Sequence, residues 1–395
     1  MTSVPVGVEF DPHPGTDEPP PGTAAADLAG TDHTGLLGIA HGATAADVDR
    51  ALNARRLGPA DAAALLSPAA AGRLEDMARA ARSLTVRRFG HTIHLFAPLY
   101  VSNECVSVCT YCGFSAGNDI PRRTLAPDEL IAEARQLVDQ GFRSILLVAG
   151  EHARIVSKDY LVDCVGALSS FVPALSVEVQ AWDTATYRRL VQAGCDGLVV
   201  YQETYDRATY AATHLRGRKR NYQWRLASPD RGAAAGMRRL GIGALLGLHP
   251  DWRAEALSLL THARALQRRW WRCELTISLP RLRPAAGGFE PAAPVSDAHL
   301  VQLLCALRLA LPDVGLSLST REPPALRDAL LPLGVTQLSA GSRTEPGGYR
   351  QPGQAGAQFE VADTRSAAEV AAVVAAAGYD PVWKDWERGG PDRSS

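Results

Sequence analysis

HLFAPLYVSNECVSVCTYCGFS, residues 94–115, is an apolar, strand-like run that breaks into a loop carrying Cys105, Cys109 and Cys112 in the spacing Cys-x3-Cys-x2-Cys. Thiolates are the usual protein ligands of cluster iron. Three of them in one short loop suit a four-iron, four-sulfur cluster whose fourth iron stays open. An open iron can chelate the amino and carboxylate groups of S-adenosylmethionine, so the motif predicts a radical enzyme. A structural zinc site normally shows four ligands in two half-sites, and no second such pair occurs in the chain. Disulfides fit poorly, because the cysteine count is seven and Cys164, Cys195, Cys273 and Cys305 are scattered singly through apolar segments.

Outward from this loop, strand-like and helix-like segments alternate. SILLVAG, ALSVEVQ, GLVVYQ, IGALLGL, CELTISL, GLSLST and VTQLSA follow the first strand, separated by helical patterns such as APDELIAEARQLVDQG and the stretch from Trp252 to Arg269. Eight strands with intervening helices are the pattern of parallel βαβ units. The expected fold is a TIM-type (β/α)8 barrel over residues 91–345, with six strands as the nearest rival. Residues 37–90 read as an N-terminal helical segment and 346–395 as a segment that completes or caps the barrel. Residues 1–36, rich in Pro, Gly, Thr and Asp, read as a leader without stable structure.

Composition narrows the function classes. With 395 residues, 46% of them hydrophobic, the chain can bury one large core. A net charge of -1 gives no general attraction for nucleic acid or an acidic membrane surface. The run RGRKR, Arg216 to Arg220, lacks interleaved aromatics and reads as a solvated loop. No apolar stretch approaches a membrane span and no targeting pattern opens the chain, so a cytoplasmic location is expected.

In a barrel of this kind active sites gather at the carboxyl ends of the strands. There the sequence places Gly150-Glu151-His152, Glu178, Gln202-Glu203, His249, the PRLRP turn with Arg281 and Arg283, Arg321, and Ser339 with Ser342.

Taken in order, YVSNECVSVCTYCGFSAGN, LLVAGEH, VEVQ, VYQETYDRATY, SPDR, PRLRP with GGFEP, SLSTREPP, PGGY and PVWKDW resemble the 2-iminoacetate synthases, the radical S-adenosylmethionine tyrosine lyases of thiamin thiazole biosynthesis. The resemblance runs from Thr44 to Trp386, with Ala149 in a place where the family usually has threonine. It implies cleavage of the Cα–Cβ bond of L-tyrosine to 2-iminoacetate and 4-cresol, alongside methionine and 5'-deoxyadenosine. Cys105, Cys109 and Cys112 would hold the cluster. Tyr111, Gly150, Glu151, Glu178, Gln202, Glu203 and Arg231 would bind S-adenosylmethionine, with Arg231 forking its carboxylate. Arg321 would clamp the substrate carboxylate, helped by Ser339 and Ser342. Arg281 would form a second basic wall, and His152 or His249 would meet the phenol or move a proton.

Thiazole synthase and a flavodoxin or ferredoxin-type reductant are the implied partners. The alternatives are a lyase of another aromatic amino acid such as tryptophan, a hydrogenase-maturation tyrosine lyase, and a non-catalytic iron-sulfur module. The second would need a further cysteine triad near the C-terminus, which is absent from the sequence.

Overall fold

The computed structural model of the chain describes residues 22–384. Eight parallel strands form its centre: β1 (Thr92–Ser102), β2 (Ser144–Ala149), β3 (Ala174–Glu178), β4 (Gly197–Glu203), β5 (Arg239–Ala244), β6 (Glu274–Ser278), β7 (Gly315–Leu318) and β8 (Gln337–Ser339). Each pairs with the next, and β8 returns to β1 with His94–Phe96 against Gln337–Ser339, so the barrel closes. A six-stranded open barrel is thereby excluded.

The strands read as short Val/Ile/Leu-rich runs because both of their faces are covered. In β1 the side chains alternate, Phe96, Pro98 and Tyr100 facing the interior while Ile93, Ala97 and Leu99 join the core under the helices. Helix starts are set locally by oxygen caps. Ser157 accepts from the Tyr160 N–H ahead of the helix Lys158–Ser169, and Asp183 from the Thr186 N–H ahead of Thr184–Ala193. These starts lie beside the carboxyl ends of the strands.

The N-terminal helices Pro59–Leu65 and Leu74–Phe89 brace the outer helices Trp252–Arg269 and Asp297–Ala310, and Ala45–Asn53 packs against both of these N-terminal helices. Gln302 donates to the Leu65 and Ser67 carbonyls, and Arg253 to that of Leu66. They are a buttress and leave the barrel mouth uncovered.

The leader departs from its expected lack of structure. Residues 1–21 lie outside the described residues, but Ala24–Ala29 and His33–Gly42 are helical. Ala24, Ala25 and Leu28 are buried, and the Ala24 N–H donates to both oxygens of Asp230 at 3.1 Å. The apolar face is only three small side chains wide, too weak a periodicity to stand out beside the prolines.

After β8 the chain crosses the barrel mouth, forms the helix Ala367–Ala376, and descends to a short strand, Asp380–Val382, paired with the start of β1. Trp383 then packs edge-on against Phe142, ring centroids 5.3 Å apart. No helix among the described residues is long and apolar enough to cross a membrane.

Candidate active site

The cysteine loop leaves β1 and is held from every side. The Val106 N–H donates to the Glu151 carbonyl (2.9 Å), that of Thr110 to Thr213 (3.0 Å), and that of Gly113 to Gln358 (2.9 Å). Val108–Cys109 pairs antiparallel with His214–Arg216 from the long β4–β5 connection. Arg122 gathers four carbonyls, those of Asn103, Phe114, Ser115 and Asn118, at 2.7–3.1 Å. Gly150 follows β2 so closely beneath the loop that a Cβ there would overlap the Glu104 carbonyl oxygen. The loop conformation is thus imposed by the protein in advance of any ligand.

The three sulfurs are shared between two apolar clusters. Cys105 and Cys112 pack with Tyr100, Phe114 and Val148, and Cys109 packs with Tyr111, Leu245 and again Cys112. Burial pushes the Cys105 thiol up to about 12 and lifts the other two as well. Such thiols give up their protons to a metal centre rather than to water. Among the described residues no three His, Cys, Asp or Glu side chains converge on a point fit for a single ion. Soft, buried, spaced thiolates suit an iron-sulfur cluster.

Beneath the loop, about 910 Å³ of space opens at the carboxyl end of the barrel, lined by side chains from all eight strands or the loops that follow them, and by Gln358 and Phe359 of the C-terminal segment. One wall is a buried ionic network. Lys219 donates to Glu203 (2.6 Å), Arg225 meets Glu151 (3.2 Å) and Glu203 (3.6 Å), and Ser107 donates to the other Glu151 oxygen (3.1 Å). Glu203, despite burial that opposes its ionisation, is kept below the ordinary carboxylate range by Lys219 and Arg225. Its φ of +72° is the one positive value among non-glycine described residues, a strained position of the kind found at functional sites.

Tyr111 lines the same wall. His214 Nδ1 lies 2.8 Å from the Tyr210 carbonyl and must donate to it, so Nε2 accepts from the Tyr111 hydroxyl at 2.8 Å. Burial drops His214 to about 3 and keeps it neutral in that tautomer.

The opposite wall is built by β7 and β8. Arg321 stacks on the Phe359 ring, 3.4 Å from its centroid, and no carboxylate stands within ion-pair distance of it among the described residues. Ser342 Oγ is buried with no hydrogen-bond partner, while Ser339 Oγ accepts from the Thr320 N–H at 3.1 Å. Glu178, at the end of β3, is lifted by burial, and further by Glu203, to about 7.

The structure therefore brings together Cys105, Cys109, Cys112, Tyr111, Gly150, Glu151, Glu178, Glu203, Arg321, Ser339 and Ser342, and removes five expected residues from the cavity. Gln202 sits between the inward Tyr201 and Glu203 and so points outward, donating weakly to the Tyr222 carbonyl (3.5 Å). Arg231 binds the Trp182 and Trp224 carbonyls (2.8 and 2.7 Å) and stacks on Trp224. Arg281 is paired with Glu322 and with Asp297 (2.8 Å) and ties the ends of β6 and β7. His152 Nδ1 accepts from the Ile155 N–H (3.3 Å) in its own turn. His249 is likewise local, Nδ1 contacting the Asp251 backbone.

Glu151 lies at the cluster loop but already pairs with Arg225 and Ser107, so it anchors the loop. Lys219 and Arg225 were missed, Lys219 inside a run that reads as solvated. Its signal was rarity, as one of only three lysines in the chain.

The described donors fit both implied groups. Three soft thiols share one enclosed region, and the Glu203 carboxylate and the Tyr111 ring line the cavity beside them. The Radical SAM superfamily model matches residues 99–260, and the Biotin and Thiamin Synthesis associated domain model matches residues 278–380. The chain is 46% identical over 347 residues to 2-iminoacetate synthase of Escherichia coli (strain K12), covering 88% of this chain and 92% of that one. It is 45% identical, with the same coverage, to 2-iminoacetate synthase of Salmonella typhimurium. A solved structure of HydG, a maturase of the FeFe-hydrogenase, superposes with a TM-score of 0.85 at 33% identity, covering 91% of this chain and 81% of that one. With the cysteine loop, the closed barrel and a near full-length match agreeing, the chain belongs to the 2-iminoacetate synthase family of radical SAM enzymes.

Proposed function

We propose that the protein cleaves the Cα–Cβ bond of L-tyrosine to 2-iminoacetate and 4-cresol for thiamin thiazole biosynthesis. The observation that carries the reading is Arg321, a half-buried guanidinium without an ion-pair partner among the described residues, on the cavity wall built by β7 and β8. The four-iron cluster with S-adenosylmethionine, when bound by Cys105, Cys109 and Cys112, supplies a 5'-deoxyadenosyl radical.

The chain's own residues do the rest. Arg321 forks the substrate carboxylate, a geometry that a planar guanidinium supplies and an ammonium does not. Its stack on Phe359 fixes the plane of the fork, and Ser342 Oγ gives the carboxylate a further donor. Glu178, poised near neutrality, takes a proton from the substrate ammonium, leaving the nitrogen free to lose hydrogen. Tyr100, Leu146 and Val148 offer an apolar wall to the aromatic ring and keep water from the imine. Glu203 and Tyr111, across the cavity, are the groups offered to S-adenosylmethionine.

The labile imine favours direct transfer, so thiazole synthase is the expected partner, a flavodoxin or ferredoxin-type protein the electron source, and the cytoplasm the compartment. The test is anaerobic reconstitution with iron and sulfide, then incubation with L-tyrosine, S-adenosylmethionine and dithionite, followed by mass analysis. Both 4-cresol and 5'-deoxyadenosine are expected, and Cys109→Ala should lose both. An indole-derived acid from tryptophan in place of cresol would reassign the substrate.

A further inference from the structure

A groove of about 1820 Å³ opens on the outside of the barrel, where the N-terminal helices meet the outer ones. Its walls are the end of Ala45–Asn53 with the link that follows it, the last turns of Leu74–Phe89, the face of Trp252–Arg269 that carries Arg264 and Gln267, and the turn after Asp297–Ala310. Leu74–Phe89 leads into β1, and the turn at Asp313 leads into β7. The groove therefore sits at the amino ends of the strands, away from the substrate cavity.

Five arginines, Arg55, Arg56, Arg87, Arg88 and Arg264, line it against one acid, Asp313. That acid is taken by Arg88 at 3.2 Å. Asp61, whose charge Arg264 feels, is itself held by the Gly58 N–H (2.9 Å) and by Arg50. Among the described residues no carboxylate lies within ion-pair distance of Arg55, Arg56, Arg87 or Arg264. A chain of net charge -1 thus gathers unneutralised positive charge in one concave place.

Arginines in a last turn are ordinary partners of a helix's negative end, which accounts for Arg87 and Arg88. Arg264 has no such reason. It stands within Trp252–Arg269, half-buried, and donates to the Leu57 carbonyl at 2.7 Å, which holds the link bearing Arg55 and Arg56 against the groove. Burial and the neighbouring Arg268 lower its pKa, so a bound anion would relieve it. Leu52, Leu57, Leu84 and Leu309 add apolar surface to the same lining.

We infer that this groove binds an organic diphosphate or triphosphate, with its phosphates in the forks of Arg55, Arg56 and Arg87 and its organic body on the leucines. Guanidinium forks match phosphate oxygens in pairs. Four unneutralised arginines exceed what a single phosphate can balance, and the apolar surface would be wasted on a bare ion. Since its contacts come from the N-terminal helices and the barrel's outer helix alike, the ligand clamps one to the other. The site is independent of the tyrosine-lyase reading.

The test is calorimetric titration of the cluster-loaded full chain with inorganic pyrophosphate and with ADP, S-adenosylmethionine being present to fill its own site. Both probes should bind once per chain, ADP more tightly, with affinity falling as salt rises. Arg56→Glu/Arg87→Glu should weaken both by about tenfold or more and leave cresol formation at the parent level. Ser83→Trp, at an exposed position of the lining, keeps every arginine and should weaken ADP more than pyrophosphate. No saturable heat from either probe, or parental affinity in the double variant, would overturn the inference. So would a short single-stranded RNA that binds while neither probe does.

Discussion

A guanidinium drawn out of water without an ion-pair partner is costly to the protein that holds it, and half-buried Arg321 has the Phe359 ring against its face and no carboxylate within ion-pair distance among the described residues. Substrate carboxylate relieves the cost, so Arg321→Ala should lower kcat/KM for tyrosine by about 2–3 kcal/mol, a loss on the order of 30- to 150-fold. Some uncoupled 5'-deoxyadenosine should persist, since the cluster ligands are untouched, and parallel quantification of cresol and deoxyadenosine checks this. A cresol rate equal to the parent's would remove Arg321 from substrate binding.

Glu178 makes a second prediction through its elevated pKa of about 7. Between the ordinary carboxylate range and about pH 7 the folded chain holds this proton more firmly than the unfolded chain, so stability falls as pH rises through that window and levels off above it. Glu178→Gln removes the buried carboxylate and should stabilise cofactor-free protein by up to about 3 kcal/mol at pH 8 and much less at pH 5, read from thermal melts. At this scale the sequence showed residue type and position on a strand end, which sufficed to put the cysteines on one loop and Arg321 at the cavity. It did not show that Arg281 would be neutralised by Glu322, because that partner lies in the turn after the next strand of the barrel.

The strands β7 and β8 and the C-terminal segment are joined by one buried ion pair. Arg327, on the helix Pro324–Leu330 after β7, pairs with Asp363 and donates to the Ser339 carbonyl, and both side chains of the pair are almost wholly excluded from solvent. Asp363 also receives Arg365, which in turn reaches Asp328 at 2.8 Å. Asp363→Ala would strand the Arg327 charge and should cost about 3–5 kcal/mol in chemical denaturation, whereas replacing both partners with apolar residues should recover much of that loss. Equal destabilisation by the single and double replacements would contradict this account.

Element identity was readable here from periodicity: Thr184–Ala193 and the start of the helix at Trp252 fall where the pattern places them. The leader misled because Ala24–Ala29 becomes a helix by docking against Asp230 and the outer helices, a tertiary contact that no local periodicity announces.

For the molecule as a whole, cluster and S-adenosylmethionine should act as one stabilising unit, because the cysteine loop is held by four separate parts of the chain: the β2 end, the β4–β5 connection, Arg122 and the C-terminal segment. S-adenosylmethionine at a hundredfold excess over its Kd should raise the unfolding free energy of cluster-loaded protein by about 2.7 kcal/mol. It should leave the cluster-free protein nearly unchanged, as differential scanning calorimetry can read. An equal upward shift in cluster-free protein would show that the cofactor is held without the open iron.

The amino-acid sequence by itself determined the three-thiolate loop, the count of eight strands and the end of the barrel at which chemistry gathers, since spacing and hydrophobic period are properties of neighbouring residues. Only the tertiary structure decided which polar side chains reach the cavity. Strand pleat turned Gln202 away and Glu203 inward. Carbonyls from other segments claimed Arg231, and folding carried Lys219 from an apparently solvated run to a buried pairing with Glu203. Each outcome depends on where distant segments place their oxygens and rings, and closure of the barrel is what sets those positions.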